Sequence, residues 1–296
     1  MKGIILAGGT GSRMYPMTAI FSKMLLSVYD KPMIYYPLST LMQFGIKDIL
    51  IISTPKDTPN IKQLFKDGKH LGLNISYGVE LEPKGISQAF IIGEKFIDHD
   101  NVALILGDNI FGMGEQLKSF RDQVKHNINN SATIFSYKVS DPERFGVIEF
   151  DKDLKVLSIE EKPNVPKSNF AAVGLYFYPN DVVVKAKSLT PSKRGELEIT
   201  DLNKLYLNES RLSVIPMKRG NAWLDAGTPD SFLEASQFIQ IIEKRQGMKI
   251  GCIEEVAYKN NLLDDEGLLK VINSLKHGSY RDYLQKIYDE NNLFES

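Results

Sequence analysis

Short apolar runs bounded by Gly, Pro or Asp recur along the chain: GIILAG, DILIIS, VALILGD, ATIFSY, GVIEF, AVGLYFY and RLSVIPM. Runs of this length read as buried strands when amphipathic stretches separate them. PMIYYPLSTLMQFGI carries apolar positions at helical spacing and reaches Gly45 just ahead of DILIIS, and SQAFIIGEKFI similarly precedes VALILGD. This early alternation predicts parallel, doubly wound packing. Beyond about residue 130 the pattern turns strand-rich, which predicts an inserted or mixed-sheet section. From 229 to 296 it turns helical again, in SFLEASQFIQIIEKRQG, EGLLKVINSL and the aromatic-studded SYRDYLQKIYDENNLF. The expectation is an α/β fold, a Rossmann-like doubly wound mixed sheet over residues 1–228, with a helical C-terminal portion over 229–296.

Composition narrows the partners. The 296 residues, 43% hydrophobic and 25% charged, suit one large α/β body or a body with an appendage. A net charge of −1 supplies no field to recruit nucleic acid or an anionic membrane. The single cysteine, Cys252, excludes an internal disulfide and points to a reducing compartment. No leader pattern opens the chain and no apolar stretch reaches about 18 residues. A soluble, cytoplasmic protein is expected, with neither nucleic acid nor membrane as partner.

The first apolar run opens into GIILAGGTGSRMYP, residues 3–16. Glycines after a first strand let backbone N–H groups close around phosphate oxygens; a plain tight turn would use them too. The spacing approaches G-x-G-x-x-G, but Ser12-Arg13 stands where the third glycine belongs. Asp30 lies near the acidic position of a dinucleotide site yet falls in what reads as a second loop, SKMLLSVYDKP. A dinucleotide-dependent oxidoreductase is therefore the weaker reading. Arg13 and Lys23 place positive charge near the glycines, which suits a triphosphate whose α-phosphorus must become more electrophilic. A solvated basic face is the alternative.

Two carboxylates extend this chemistry. Asp108 follows VALIL at a strand end, and Asp225 follows the chain's only tryptophan in AWLDAGT. Each alone could cap a helix or a turn; converging on a triphosphate, they would make a hard oxygen site for Mg²⁺. DPERFGVIEF and LSIEEKP read as two strands joined by a turn. There Glu161 can accept sugar hydroxyls and Lys162 can bind a phosphate, unless the pair belongs to an exposed ion-rich hairpin.

Taken in order, GIILAGGTGSRMYPMT, SKMLLSVYDKPMIYYPLSTLM, LGDNIF, DPERFGVIEF, EEKP, GLYFY, RGELEITDLN and AWLDAGT resemble the sugar-1-phosphate nucleotidylyltransferases, above all the glucose-1-phosphate thymidylyltransferases. That resemblance implies transfer of a nucleotidyl group from an NTP, by default dTTP, to α-D-glucose 1-phosphate with release of pyrophosphate. It implies Arg13, Lys23, Asp108 and Asp225 as catalytic, with Asp108 and Asp225 on Mg²⁺. Nucleotide contacts would come from Leu6, Gly8, Gly9, Thr10, Gly11, Met24, Glu80 and Gly85. The strand-rich section would bind sugar phosphate through Gly146, Glu161, Lys162, Val173, Arg194 and Trp223, with Arg194 on the phosphate and Trp223 against the sugar or in the core. A homotetramer is also implied, with the helical C-terminal portion at its contacts. A non-catalytic sugar-nucleotide-binding paralogue is the rival of another class.

The chain departs from that pattern at three places. Met24 and Glu80 stand where the family usually has glutamines around the base. A carboxylate accepts from thymine N3–H but offers no donor to O4, whereas guanine presents two adjacent donors. GTP is therefore an alternative to dTTP. Gly112 and Gly114 replace a tyrosine and a histidine that help form the family's second, regulatory nucleotide site. Lys259 stands there for arginine, while Arg219 is retained, so family-type feedback is not expected.

Overall fold

A computed structural model describes residues 1–9 and 11–294. The chain runs β1 (Lys2–Ala7), a short hairpin of β2 (Ser27–Val28) and β3 (Lys31–Pro32), α1 (Tyr35–Gln43), β4 (Asp48–Ser53), α2 (Thr58–Phe65), β5 (Asn74–Val79), α3 (Gln88–Ile92), α4 (Glu94–Ile97), β6 (Val102–Leu106), β7 (Asn109–Gly112), α5 (Leu117–Asn127) and β8 (Ala132–Lys138). Then follow β9 (Gly146–Phe150), β10 (Val156–Glu161), β11 (Phe170–Tyr178), α6 (Val182–Ser188), α7 (Ile199–Asn208), β12 (Leu212–Pro216), β13 (Ala222–Asp225), α8 (Pro229–Gln246), α9 (Ile253–Lys259), α10 (Asp265–Ser274) and α11 (Ser279–Phe294).

β6, β1, β4 and β5 lie side by side and parallel, and the apolar runs of β6, β1 and β4 are buried on both faces. Alternation sorts them into two cores. Ile5, Ile49, Ile51, Ala103 and Ile105 face α1, where Leu38, Leu41 and Met42 meet them. Ile4, Leu50, Ile52, Val102 and Leu104 face α3, where Ala89 and Phe90 lie. Helices thus cover both faces, as the alternation predicts. The order also reverses between β1 and β6, the crevice where open α/β sheets hold ligands.

The strand-rich section joins this sheet through β11. One edge of β11 pairs antiparallel with β8, which in turn pairs parallel with β12. Its other edge pairs with β9 at Ala171 and with β6 from Leu175 onward, and β10 folds back on β9. The result is a nine-stranded mixed sheet. The two segments read as strands with a turn, around Gly146 and Glu161, form this β9–β10 hairpin.

The expected helix over SQAFIIGEKFI is divided at Gly93 into α3 and α4. A Cβ at Gly93 would lie 3.0 Å from both the Ala89 carbonyl oxygen and Ile4 Cδ1, so this turn packs directly on β1. α8 begins with a capping box of Thr228 and Ser231 and stops at Gly247, whose φ is 68°. The helical portion is not a separate body. Ala235, Ile239, Ile253 and Ala257 join the core on the α1 side, while Cys252, Leu268, Ile272 and Leu284 close a small cluster beyond it.

Candidate active site

The loop after β1 crosses the reversal point of the sheet. The Glu80 side chain occupies the space beside Gly8, where a Cβ would fall 2.1 Å from Glu80 Oε2 and displace it. Gly9, Gly11 and Leu6 line one side of a cavity of about 410 Å³. Met24, Glu80 and Gly85 line it further along. Gly85 is held close to the Leu197 backbone, where a Cβ would meet N and O at 2.5 Å, and its φ of 101° favours glycine in any case. Thr10 lies outside the described residues.

Asp108 and Asp225 come together through a second, two-stranded ladder. β13 pairs with β7 so that Asp225 stands opposite Asn109, and the Ala226 N–H donates to the Asp108 carbonyl at 3.0 Å. Lys23 reaches in from the loop before β2 and donates to Asp108 Oδ2 at 2.5 Å. Asn109 Nδ2 donates to Oδ1 at 3.0 Å. Burial pushes the Asp108 carboxyl up, but the Lys23 ammonium and these hydrogen bonds outweigh it and hold it below the usual range. Asp225 moves upward, through burial and then through the Asp108 charge beside it. Arg13 makes no ion pair or hydrogen bond among the described residues, so its charge is available to a ligand.

A second cavity of about 200 Å³ adjoins the first; Arg13 and Asp108 line both. Gly146, Glu161, Lys162, Arg194, Trp223 and Asp225 line the second. Thr200 Oγ1 donates to Glu161 Oε2 at 2.5 Å, fixing that carboxylate. The indole of Trp223 is 8% exposed, packed at 5.1 Å from the Phe145 ring, and thus belongs to both core and cavity wall.

Two residues sit differently from expectation. Val173 is fully buried among the core residues that face α1. Alternation along β11 gives the cavity to Ala172, Gly174 and Tyr176 instead. Arg194 is committed to carboxylates: its Nη2 donates to both Glu198 oxygens at 2.8 Å and pairs with Glu161 and Glu196 at 3.4 Å.

Arg144 and Asn109, within the DPERFGVIEF and LGDNIF motifs respectively, carry no sequence mark of a role and yet belong to the site. Arg144 Nη2 stands 3.9 Å from Asp225 Oδ2 in the second cavity. Asn109 carries no charge and drew no notice, yet it binds Asp108, Gly174 and Trp223. Gly112, Gly114 and Lys259 line a separate cavity of about 590 Å³ between β7, α8 and α9, with Lys259 paired to Glu255 at 2.6 Å. Arg219 does not line it, though Gly220 does.

Comparison with known proteins places this geometry in context. Residues 2–241 match the family described as nucleotidyl transferase. A glucose-1-phosphate thymidylyltransferase of Neisseria meningitidis is 52% identical, over 97% of this chain and 99% of that one. One of Mycobacterium tuberculosis is 51% identical, over 98% and 100%. A crystal structure described as a Bacillus anthracis glucose-1-phosphate thymidylyltransferase with sucrose superposes with a TM-score of 0.75 at 40% identity, over 80% of this chain and 94% of that one. These relatives give no support to the guanine reading of Glu80, nor to a non-catalytic paralogue.

Proposed function

Because the chain belongs to the nucleotidyl transferase family, we propose that it transfers the thymidylyl group of dTTP to α-D-glucose 1-phosphate, giving dTDP-glucose and pyrophosphate. The observation that carries this reading is the junction of two adjoining cavities at Arg13 and Asp108. One suits a nucleotide; the other combines hydroxyl-accepting Glu161 with cationic Lys162. An oxygen of the sugar phosphate attacks the α-phosphorus, the bond to the bridging α–β oxygen breaks, and pyrophosphate departs. The attacking oxygen is already anionic, so no general base or covalent intermediate is needed. What opposes the reaction is the meeting of several negative charges, and positioning with charge neutralisation answers it.

Arg13, unpaired among the described residues, neutralises the triphosphate at the junction. Lys23 holds Asp108 while remaining near the same phosphates. Lys162 is the cation offered to the acceptor phosphate, with Arg144 beside it although its Nη1 is bound to Asp141 at 2.7 Å; Arg194 is engaged by Glu198. The chemistry of the donor set fits Mg²⁺. Asp108 and Asp225 are two neighbouring hard oxygen donors, and no cluster of three metal-ligating side chains exists among the described residues. The remaining ligands would be phosphate oxygens and water, as Mg²⁺ favours. When bound, the ion supplies Lewis acidity and charge neutralisation at the triphosphate.

We further infer a cytoplasmic homotetramer, as the family resemblance implies; among the described residues no helix is long and apolar enough to cross a membrane. The test is pyrophosphate release with glucose 1-phosphate and Mg²⁺ across a panel of dTTP, UTP, GTP, CTP and ATP. The highest kcat/KM is expected with dTTP. No release with dTTP would overturn the reading.

A further inference from the structure

Asp108 and Glu80 lie just beyond the ends of β6 and β5, which are three strand spacings apart, on the order of 14 Å at the backbone. With phosphates held at β6 and the glycine loop after β1, the base of a nucleotide is directed toward β5. Glu80 is there, 5% exposed, its N–H bonded to the Ser53 carbonyl at 2.9 Å. Its side chain presses against Gly8 and lines the cavity beside Met24, Leu6 and Ile86.

Among the described residues, Glu80 accepts no hydrogen bond and pairs with no cation. Arg13, Lys23, Asp108 and Glu196 line the same cavity, and Lys23 is bound to Asp108. Lys56 and Asp57 lie on the loop after β4, and Glu82 pairs with Lys84 on the loop after β5. None of them forms an ion pair with Glu80. A carboxyl so placed is an unusual thing to bury.

We propose that Glu80 reads the thymine base as a neutral carboxylic acid, its O–H donating to O4 and its carbonyl oxygen accepting from N3–H. This rests on the dTTP reading above. An ionised carboxylate meets N3–H with one oxygen but sets the other against a ring carbonyl. The neutral acid presents a donor and an acceptor side by side, the complement of the imide edge. Burial without a compensating cation already raises the Glu80 pKa, and a stacked base removes more water. Binding dTTP at a pH between that pKa and the higher value in the complex therefore takes up a proton, and affinity for dTTP falls as pH rises from the first value toward the second. The apolar wall of Met24 leaves Glu80 as the polar contact on that side.

The experiment is calorimetric titration with dTTP at pH 8, in Mg²⁺ without glucose 1-phosphate, using buffers of different ionisation enthalpy. Wild type is expected to take up about one proton per site more than Glu80→Gln, whose amide offers the same donor and acceptor without titrating. Over the alkaline limb, kcat/KM for dTTP should fall about tenfold per pH unit in wild type relative to Glu80→Gln. Should that variant fail to fold, infrared difference spectra of wild type with isotope-labelled glutamate decide the matter, through a protonated-carboxyl band that appears with dTTP. Equal proton uptake in two proteins that both bind dTTP, or no such band, overturns the inference while leaving the proposed reaction intact. Failure of both proteins to bind dTTP, with another triphosphate bound instead, overturns the proposed reaction itself.

Discussion

Trp223 donates its indole N–H to Asn109 Oδ1 at 2.7 Å, and this bond ties the strand that ends at Asp225 to the strand that follows Asp108. The same oxygen accepts the Gly174 N–H at 3.1 Å, so β7, β11 and β13 meet at one amide. Asn109 is 3% exposed, so both of these donors are shielded from bulk solvent by it. Asn109→Ala strands both donors, each at a cost of about 1–3 kcal/mol. The variant should show a lower thermal midpoint and, as Asp108 loses its Nδ2 donor, a lower kcat with smaller change in either KM. Unchanged kcat in the folded variant would separate Asn109 from the positioning of Asp108.

Asp108→Asn and Asp225→Asn each remove one anionic oxygen donor while preserving shape. If the two hold a metal against the triphosphate, either change forfeits several kcal/mol of transition-state stabilisation, at least about a thousandfold in rate. Pyrophosphate release at saturating Mg²⁺ measures this. Near-wild-type turnover in one variant would remove that residue from the metal site.

How much of this was legible beforehand varies with the kind of signal. The buried parallel strands announced themselves, because both-face burial writes an unbroken apolar run such as DILIIS or VALIL. The pairing of β7 with β13 did not, since four-residue strands more than a hundred positions apart carry no local mark of being partners. Asp108 and Asp225 were nonetheless named, through the family resemblance that the nucleotidyl transferase match bears out. Val173 shows the limit of carrying a site over by position: along β11, one residue decides between core and cavity. Asn109 and Arg144 depend on distances between segments that no single segment encodes.

Lys162 stands in the second cavity with its φ at 43° and its N–H fixed to the Phe145 carbonyl at 2.9 Å. Its half-exposed ammonium makes only a long ion pair, 3.9 Å, with Glu161 Oε1. Lys162→Ala should raise the KM for glucose 1-phosphate at least tenfold, about 1.4 kcal/mol or more, with little change in the KM for dTTP. Steady-state kinetics with each substrate varied in turn would show the division of the cavity to be wrong if only the dTTP term moved.

The attachment of the C-terminal helices rests on a cluster of four charges. Lys31, 2% exposed, donates to Glu243 Oε1 of α8 at 2.8 Å and also pairs with Asp30. Lys249 pairs with Asp30 and lies 3.4 Å from Glu243 Oε2, while the Ile250 N–H donates to Glu243 Oε1 at 2.9 Å. Glu243→Ala leaves the buried Lys31 to share Asp30 with Lys249 and strands the Ile250 N–H, so it should lower the unfolding free energy by about 1–3 kcal/mol. The cluster also fixes a pH dependence. Burial pushes the Asp30 carboxyl up, but hydrogen bonds from Lys249 and Lys31 outweigh it, and its pKa is depressed in the folded state. A depressed carboxylate contributes stability that is present above the unfolded-state value, near 3.9, and lost as pH falls through the folded one. The difference in thermal midpoint between wild type and Asp30→Asn should therefore be full at neutral pH and should shrink only below about pH 4. A difference that persists unchanged to pH 3, or that already shrinks between pH 7 and 5, would mean that Asp30 does not carry this part of the acid response.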